Sequence, residues 1–440
     1  MKKTIMWALI GSALSMTNTS HALSVLEDAE LSDVTGQALL NLEMQMGEDT
    51  RDALNNTYNQ SNISFYKLGL SAEMELNANI KKLQLGCGGV NNSLISNTCD
   101  IDIDNISLSG GFPASTDYTA DQRAASSAII TNPFIQFAIR NGNSTATREI
   151  LGFRISAEKI AGLMTLGTEN SNVPNGINTF SGYMKTKTAS GVAITEERNM
   201  TSADTGMKIK GEVSGGLGSG NCGRALNPCL DIGYESDQYN LKLSSTNAPF
   251  TIQSTVVSGT RLTDVKLKGA GTVGKINFEG PLTATVLGFL NLKKQVTGNI
   301  TGLTTDITVS QDLGLIHALY LNNPASLSLQ AENILWPGAS VGANRGWWLA
   351  LEDEVELGSL SPTTKVEISN AVLQQTINGI NADLTNNPRA CGNLLTGCIG
   401  GNALEVGNIP LTTDLDFPLT NLVLQGQEFK SNCYGGMKFC

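Results

Sequence analysis

The stretch GCGGVNNSLISNTCDIDIDNISLSG, residues 86–110, sets two cysteines eleven residues apart and follows them with three aspartates alternating with isoleucines. Residues that alternate with period two lie on opposite faces of a strand, so Ile101 and Ile103 share one face and Asp100, Asp102 and Asp104 the other. A half-buried strand beginning at the second cysteine follows from this pattern. The competing reading is a cation site. A calcium loop of the EF-hand type needs glycine at its sixth position and glutamate at its twelfth; counted from Asp100, those places hold Asn105 and Gly111. That loop is excluded, while a site completed by other loops around Asp100, Asp102 and Asp104 stays open.

The same period recurs along the chain. From Leu68 the run LGLSAEMELNANI alternates through Leu68, Leu70, Ala72, Met74, Leu76, Ala78 and Ile80. As one strand at about 3.3 Å per residue it would extend about 43 Å. Further alternating runs are Ile135-Phe137-Ile139, Leu151-Phe153-Ile155, Leu282-Ala284-Val286, Ala325-Leu327-Leu329 and Leu422-Leu424. Helical signals are few. Ser24 and Glu27 form a capping box opening a segment that Gly36 closes. Leu373, Ile377, Ile380 and Leu384 keep helical spacing within 369–384, and a shorter candidate lies at 157–164. The expected fold is mainly β: an elongated, curved antiparallel sheet or sandwich with long strands and a few short helices, clipped by local disulfides.

Lys2 and Lys3, the apolar run Ile5 to Met16 and the small residues of Ser20-His21-Ala22 read as a signal peptide over 1–22. No later segment approaches the roughly 18 apolar residues that a membrane-spanning helix needs. The chain is therefore read as exported, without a transmembrane helix, to the periplasm, outer membrane or cell surface. Losing Lys2 and Lys3 deepens a formal net charge of −11, and with no basic cluster nucleic acid is not an expected partner. Aromatic residues at 5% speak against a barrel with aromatic girdles, although association with the outer membrane stays open.

An exported chain keeps its cysteines oxidised. The eight fall into local pairs: Cys87 with Cys99, Cys222 with Cys229, Cys391 with Cys398 and Cys433 with Cys440. Neighbour pairing is the simplest connectivity, and neither C-x2-C knuckles for zinc nor a C-x-x-C redox motif is present. Each pair is expected to clip strand ends. Catalysis has little to work with. His21 leaves with the signal, and His317, among the apolar residues of DLGLIHALYL, reads as a packed side chain. G-x-S-x-G, G-x-x-x-x-G-K-[ST] and H-E-x-x-H are absent. The acids of LEDEVELG, 351–358, are the nearest thing to a hydrolytic carboxylate pair and read as solvated. The chain is read as non-enzymatic, with no cofactor.

The expected organisation is the signal at 1–22, a short helical segment at 23–36, an N-terminal β region at 37–190 and a C-terminal β region at 191–440. The Gly, Ser and Thr-rich stretch 186–219 is either a linker between the two or loops and strand within one continuous body.

Five stretches carry a resemblance: LSVLEDAELSDVTGQALL (23–40), GCGG with CDIDIDNISLSG (86–110), NPFIQFAIRN (132–141), REILGFRISAEKIAGLM (148–164) and NGINTFSGYMK (175–185). Together they resemble exported gammaproteobacterial pilus (fimbrial) assembly proteins of the FilA type. The resemblance covers about residues 23–190 and assigns no catalytic or binding residue. It implies other envelope or pilus proteins as partners. The chain is long for a chaperone-usher subunit and lacks the hydrophobic helix of a type IV pilin after its leader, which favours an accessory, tip or assembly role.

The functional expectation is a structural or assembly component of a cell-surface pilus or fimbria, or an associated adhesin. The alternative is an outer-membrane or periplasmic β protein that binds a lipid or small ligand. Trp336, Trp347 and Trp348 gather near Arg345. Aromatic residues and arginine are the usual anchors of interfaces, so Trp347, Trp348 and Arg345 are the candidate interface, with buried core as the competing reading.

Overall fold

The computed structural model describes residues 40–427 except 96–97, 112–119, 170–172, 217–221, 223–225, 227, 287–289 and 394–402. Among these residues the chain forms 29 strands, β1 to β29 in chain order, and three helices: α1 (Ala120–Ala124), α2 (Ser202–Thr205) and α3 (Asn370–Asn386). The fold is mainly β, and several strands are long: β9 (Glu149–Thr165) has 17 residues and β8 (Ala128–Arg140) has 13. The expected helix at 23–36, the signal segment and the Cys433–Cys440 pair lie outside the described residues. So does Cys398, the expected partner of Cys391.

Two local expectations are corrected. The run 68–80 is not one strand; it divides into β4 (Ile63–Leu70), β5 (Glu73–Leu76) and β6 (Ala78–Leu85). Both β4 and β5 pair with β8, and the break between them faces Asn132 and Pro133 of that strand. Asn132 has φ 48°, and Pro133 has no N–H to give, so the ladder cannot continue there. The segment 157–164 is not a helix but part of β9. There Ala157, Ala161 and Leu163 are buried on one face while Ile160 and Met164 are partly buried on the other, and apolar residues at both parities imitate helical spacing. The third expectation holds: α3 follows Ser369 as N-cap residue and buries Val372, Leu373, Ile377, Ile380 and Leu384 against β13 (Ile209–Gly216) and β27 (Leu404–Pro410).

The largest sheet runs β1 (Leu40–Met46), β4, β8, β9, β23 (Ala325–Gln330), β24 (Gly346–Val355), β10 (Ile177–Thr186), β7 (Ile101–Ser109), β6. Sheets of seven, five and three strands follow from the rest of the chain. Ladders between near neighbours in sequence are antiparallel. Parallel ladders arise where residues 346–420 return along the strands of 177–312 in the same order: β24 joins β10, and β28 (Asp414–Thr420) joins β21 (Thr304–Asp312). Ion pairs mark this register. Lys185–Glu354, Lys187–Glu356 and Arg198–Glu367 are each separated by 169 residues.

Alternate residues of every large sheet converge on one core. A cluster of buried side chains reaches from Ile101 to Leu424 and includes α3. Ala189, Ala193, Met200, Ile209 and Val213 belong to it, carried by β11 (Ala189–Ile194), β12 (Arg198–Thr201) and β13. A smaller cluster, with Phe65, Leu151, Trp336 and Trp348, lies against the inner face of the largest sheet.

Candidate interaction surface

The loop between β6 and β7 is a clip. Cys87 is bonded to Cys99, and Cys222 to Cys229. Arg261 fixes the first loop from below. Its side chain is fully buried; Nε donates to Asp100 Oδ1 at 2.9 Å, Nη1 to Ile95 O at 2.7 Å and Thr98 Oγ1 at 3.2 Å, and Nη2 to Gly86 O at 3.0 Å and Gly88 O at 2.8 Å. All five guanidinium donors are used, which a buried charge requires. Asp100 also accepts from Asn91 Nδ2 at 3.0 Å and Trp347 N at 3.1 Å. Gly86 and Gly346, both with positive φ, let the backbone pass so close that a side chain at either would strike this carboxylate.

The three aspartates do not converge. Asp100 turns to Arg261, whereas Asp102 and Asp104 flank Lys82, whose Nζ lies 2.5 Å and 3.0 Å from them. Asn178 Nδ2 donates to both at 3.1 Å and 2.7 Å. An ammonium thus occupies the place a cation would take. Burial alone would raise the Asp102 carboxyl, but hydrogen bonds from Lys82, Gln84 and Asn178 outweigh it and hold the group below its ordinary value. No group of three or more His, Cys, Asp or Glu disposed for a metal occurs among the described residues.

The remaining singled-out residues are mostly structural. His317 is fully buried; Nδ1 meets Leu166 O at 3.0 Å, and burial lowers its pKa. In LEDEVELG each acid has a partner: Glu352 accepts from Ser340, Asp353 from the backbone of Asn322 and Asn323, Glu354 from Lys185 and Glu356 from Lys187. Trp336 and Trp348 are buried. Trp347 is half-buried and stands edge-on to Phe153, with centroids 5.9 Å apart, while Arg345 is exposed.

A surface that the sequence reading did not assign lies at the opposite end of this sheet. Among the described residues β1 is exposed at all seven positions and pairs only with β4, so within them its outer edge carries unpaired backbone groups. Register places two apolar rows across the outer face: Leu42, Leu68, Ile135 and Ile155, then Met44, Tyr66, Phe137 and Phe153. Leu42 is 75% exposed, and Leu40, Met44, Met46, Leu68, Ile135, Phe137 and Ile155 are also exposed. Neither Pro nor Lys guards the strand. A contiguous apolar face with an open edge is the usual mark of an interaction site. The available signal was the presence of apolar residues at both parities in ISFYKLGL (63–70) and in AIITNPFIQFAIR (128–140), which indicates strands with a second face to cover.

No family model, curated protein or solved structure matches the chain.

Proposed function

We propose that the protein is an exported, non-enzymatic component of a cell-surface pilus or fimbria, serving its structure or assembly or acting as an associated adhesin. The open edge of β1, continuous with the exposed apolar rows of β4, β8 and β9, is the observation that carries this reading. A strand added to that edge by another envelope protein would gain main-chain hydrogen bonds from β1 and apolar contacts from Leu42 and Met44. The clipped loop and its buried Arg261–Asp100 pair give the same sheet a fixed far side. Local disulfides and an excess of acid over base suit a part that works outside the cytoplasm.

Surface labelling of cells before and after shearing tests it. Labelled protein is expected in the sheared fibre fraction. Retention of all of it in the outer membrane, extractable only with detergent, would replace this reading by a lipid-associated β protein. A second arm uses the Leu42→Lys, Met44→Lys double variant. It is expected to be exported and folded, yet absent from sheared fibres.

A further inference from the structure

The inner face of the same corner carries the opposite pattern. Glu43, Lys67, Gln136 and Arg154 stand in register across β1, β4, β8 and β9, so a polar row runs where neighbouring sheets bury apolar side chains. This row borders a cavity of about 400 Å³, walled also by Phe134 and Pro337. Arg154 is 6% exposed. Its guanidinium carbon lies 5.4 Å from the ring centroids of both Phe134 and Trp336, an aromatic setting that favours a planar cation.

What distinguishes Arg154 from Arg261 is its hydrogen bonding. Nη2 donates to Gln136 Oε1 at 2.5 Å and to Pro337 O at 2.8 Å; Nε is buried without an acceptor, and Nη1 has none among the described residues. No carboxylate pairs with it among the described residues. Glu43 and Glu158 lie 3.4 Å and 3.8 Å from Lys67 Nζ instead, and Glu352 accepts from Ser340 N and Oγ. Burial pushes the guanidinium down to about 10, so it remains charged at neutral pH. A buried guanidinium with Nε unsatisfied and Nη1 left without an acceptor among the described residues is costly, and such exceptions point to a group that arrives from outside.

We propose that this cavity is a binding site for a carboxylate carried on a short apolar body, with Arg154 Nη1 as the donor that receives it and Phe134 and Pro337 as apolar walls. A charge-assisted hydrogen bond to the free donor replaces solvation that burial has removed. Lys67, at the rim, lies beside Glu43 and Glu158 and offsets the repulsion these carboxylates would exert on an entering anion. The same chemistry is offered by a free carboxylic acid and by the C-terminal carboxylate of a polypeptide, and the site does not depend on the fibre reading.

Titration calorimetry of the full chain with matched probes tests this. Hexanoate is compared with hexanamide, and a pentapeptide ending in leucine with its C-terminal amide. At least one carboxylate is expected to bind about tenfold or more tightly than its amide. Preference for hexanoate identifies a free acid as the ligand, and preference for the peptide a chain terminus. Arg154→Met is expected to abolish the difference, and Lys67→Gln to weaken binding of the acid while sparing the fold. If Arg154→Met does not fold, the acid–amide comparison on the native chain decides alone. Equal affinity for acid and amide, no binding of either acid, or undiminished binding by folded Arg154→Met would overturn the proposal.

Discussion

Two sheets of this molecule use the same alternating pattern and bury opposite halves of it. In the five-stranded sheet, β15 (Gln238–Leu243) and β19 (Ile276–Val286) point Leu241, Leu243, Phe278 and Leu282 inward, and Lys242 opposes Glu279 on the outside. At the β1 corner of the largest sheet the inner row is Glu43, Lys67, Gln136 and Arg154, and apolar rows face out. Alternation therefore tells which residues share a face, and says nothing about which face is covered. The difference between the two sheets lies in what stands opposite each face among the described residues.

The largest effects should come from inward positions. Phe278→Ala is expected to cost about 3–5 kcal/mol, because a fully enclosed ring is lost and the cavity collapses only in part. Asp100→Ala should cost a similar amount, about 3–5 kcal/mol, by leaving Arg261 buried without its carboxylate. Urea titration of each variant against the native chain measures both. A loss under about 1 kcal/mol in either would show that these interiors are no better defined than the outer rows.

A smaller effect is expected from reduction of the first clip. Replacing Cys87 and Cys99 by Ser removes the constraint on a loop of this size, worth about 3 kcal/mol in the chain-entropy account. Denaturation midpoints with and without the bond supply the value. No change would mean that the bond does not restrict the unfolded chain as the chain-entropy account requires.

Acidification probes the interior next. The His317 pKa is lowered in the folded state by burial, so the unfolded chain takes up a proton first as pH falls. Stability contributed by the neutral ring is complete above about pH 6.5, the unfolded value, and declines below it by at most about 1.4 kcal/mol per pH unit. His317→Gln should flatten the slope between pH 5 and 6.5. An unchanged slope would assign the pH dependence to other groups.

Smallest of all should be the outward positions. Leu42→Ser and Phe137→Ser are expected within about 0.5 kcal/mol of the native chain in monomer stability, although both are apolar-to-polar changes in a strand. A loss comparable to that of Phe278→Ala would mean that the outer face is packed against something, and the contrast between the two sheets would fail.

Much of the β architecture was legible. The Asp-Ile alternation after Cys99 set Ile101 and Ile103 on one face, the one the core covers, and the spacing of Leu373, Ile377, Ile380 and Leu384 placed α3. The neighbouring cysteines Cys87–Cys99 and Cys222–Cys229 pair as their closeness implied. The break at residue 71 was hidden because it is imposed by Pro133, 62 positions away, on a ladder partner. Arg261 was hidden for a related reason: its five acceptors come from a loop more than 160 residues earlier, and no local pattern announces a guanidinium that closes a distant clip. The outer apolar rows were visible as a pattern, yet their exposure depends on the absence of a layer above them among the described residues.

Mild peroxide oxidation followed by mass mapping tests the central claim most directly. In the purified chain Met44 and Met46, 56% and 44% exposed, should oxidise readily while Met184 and Met200, at 1% and 0%, stay intact. In sheared surface material the account predicts strong protection of Met44 and Met46, because a partner strand covers the edge and the face beside it. Equal oxidation of these two methionines in the free chain and in the assembled material would contradict it.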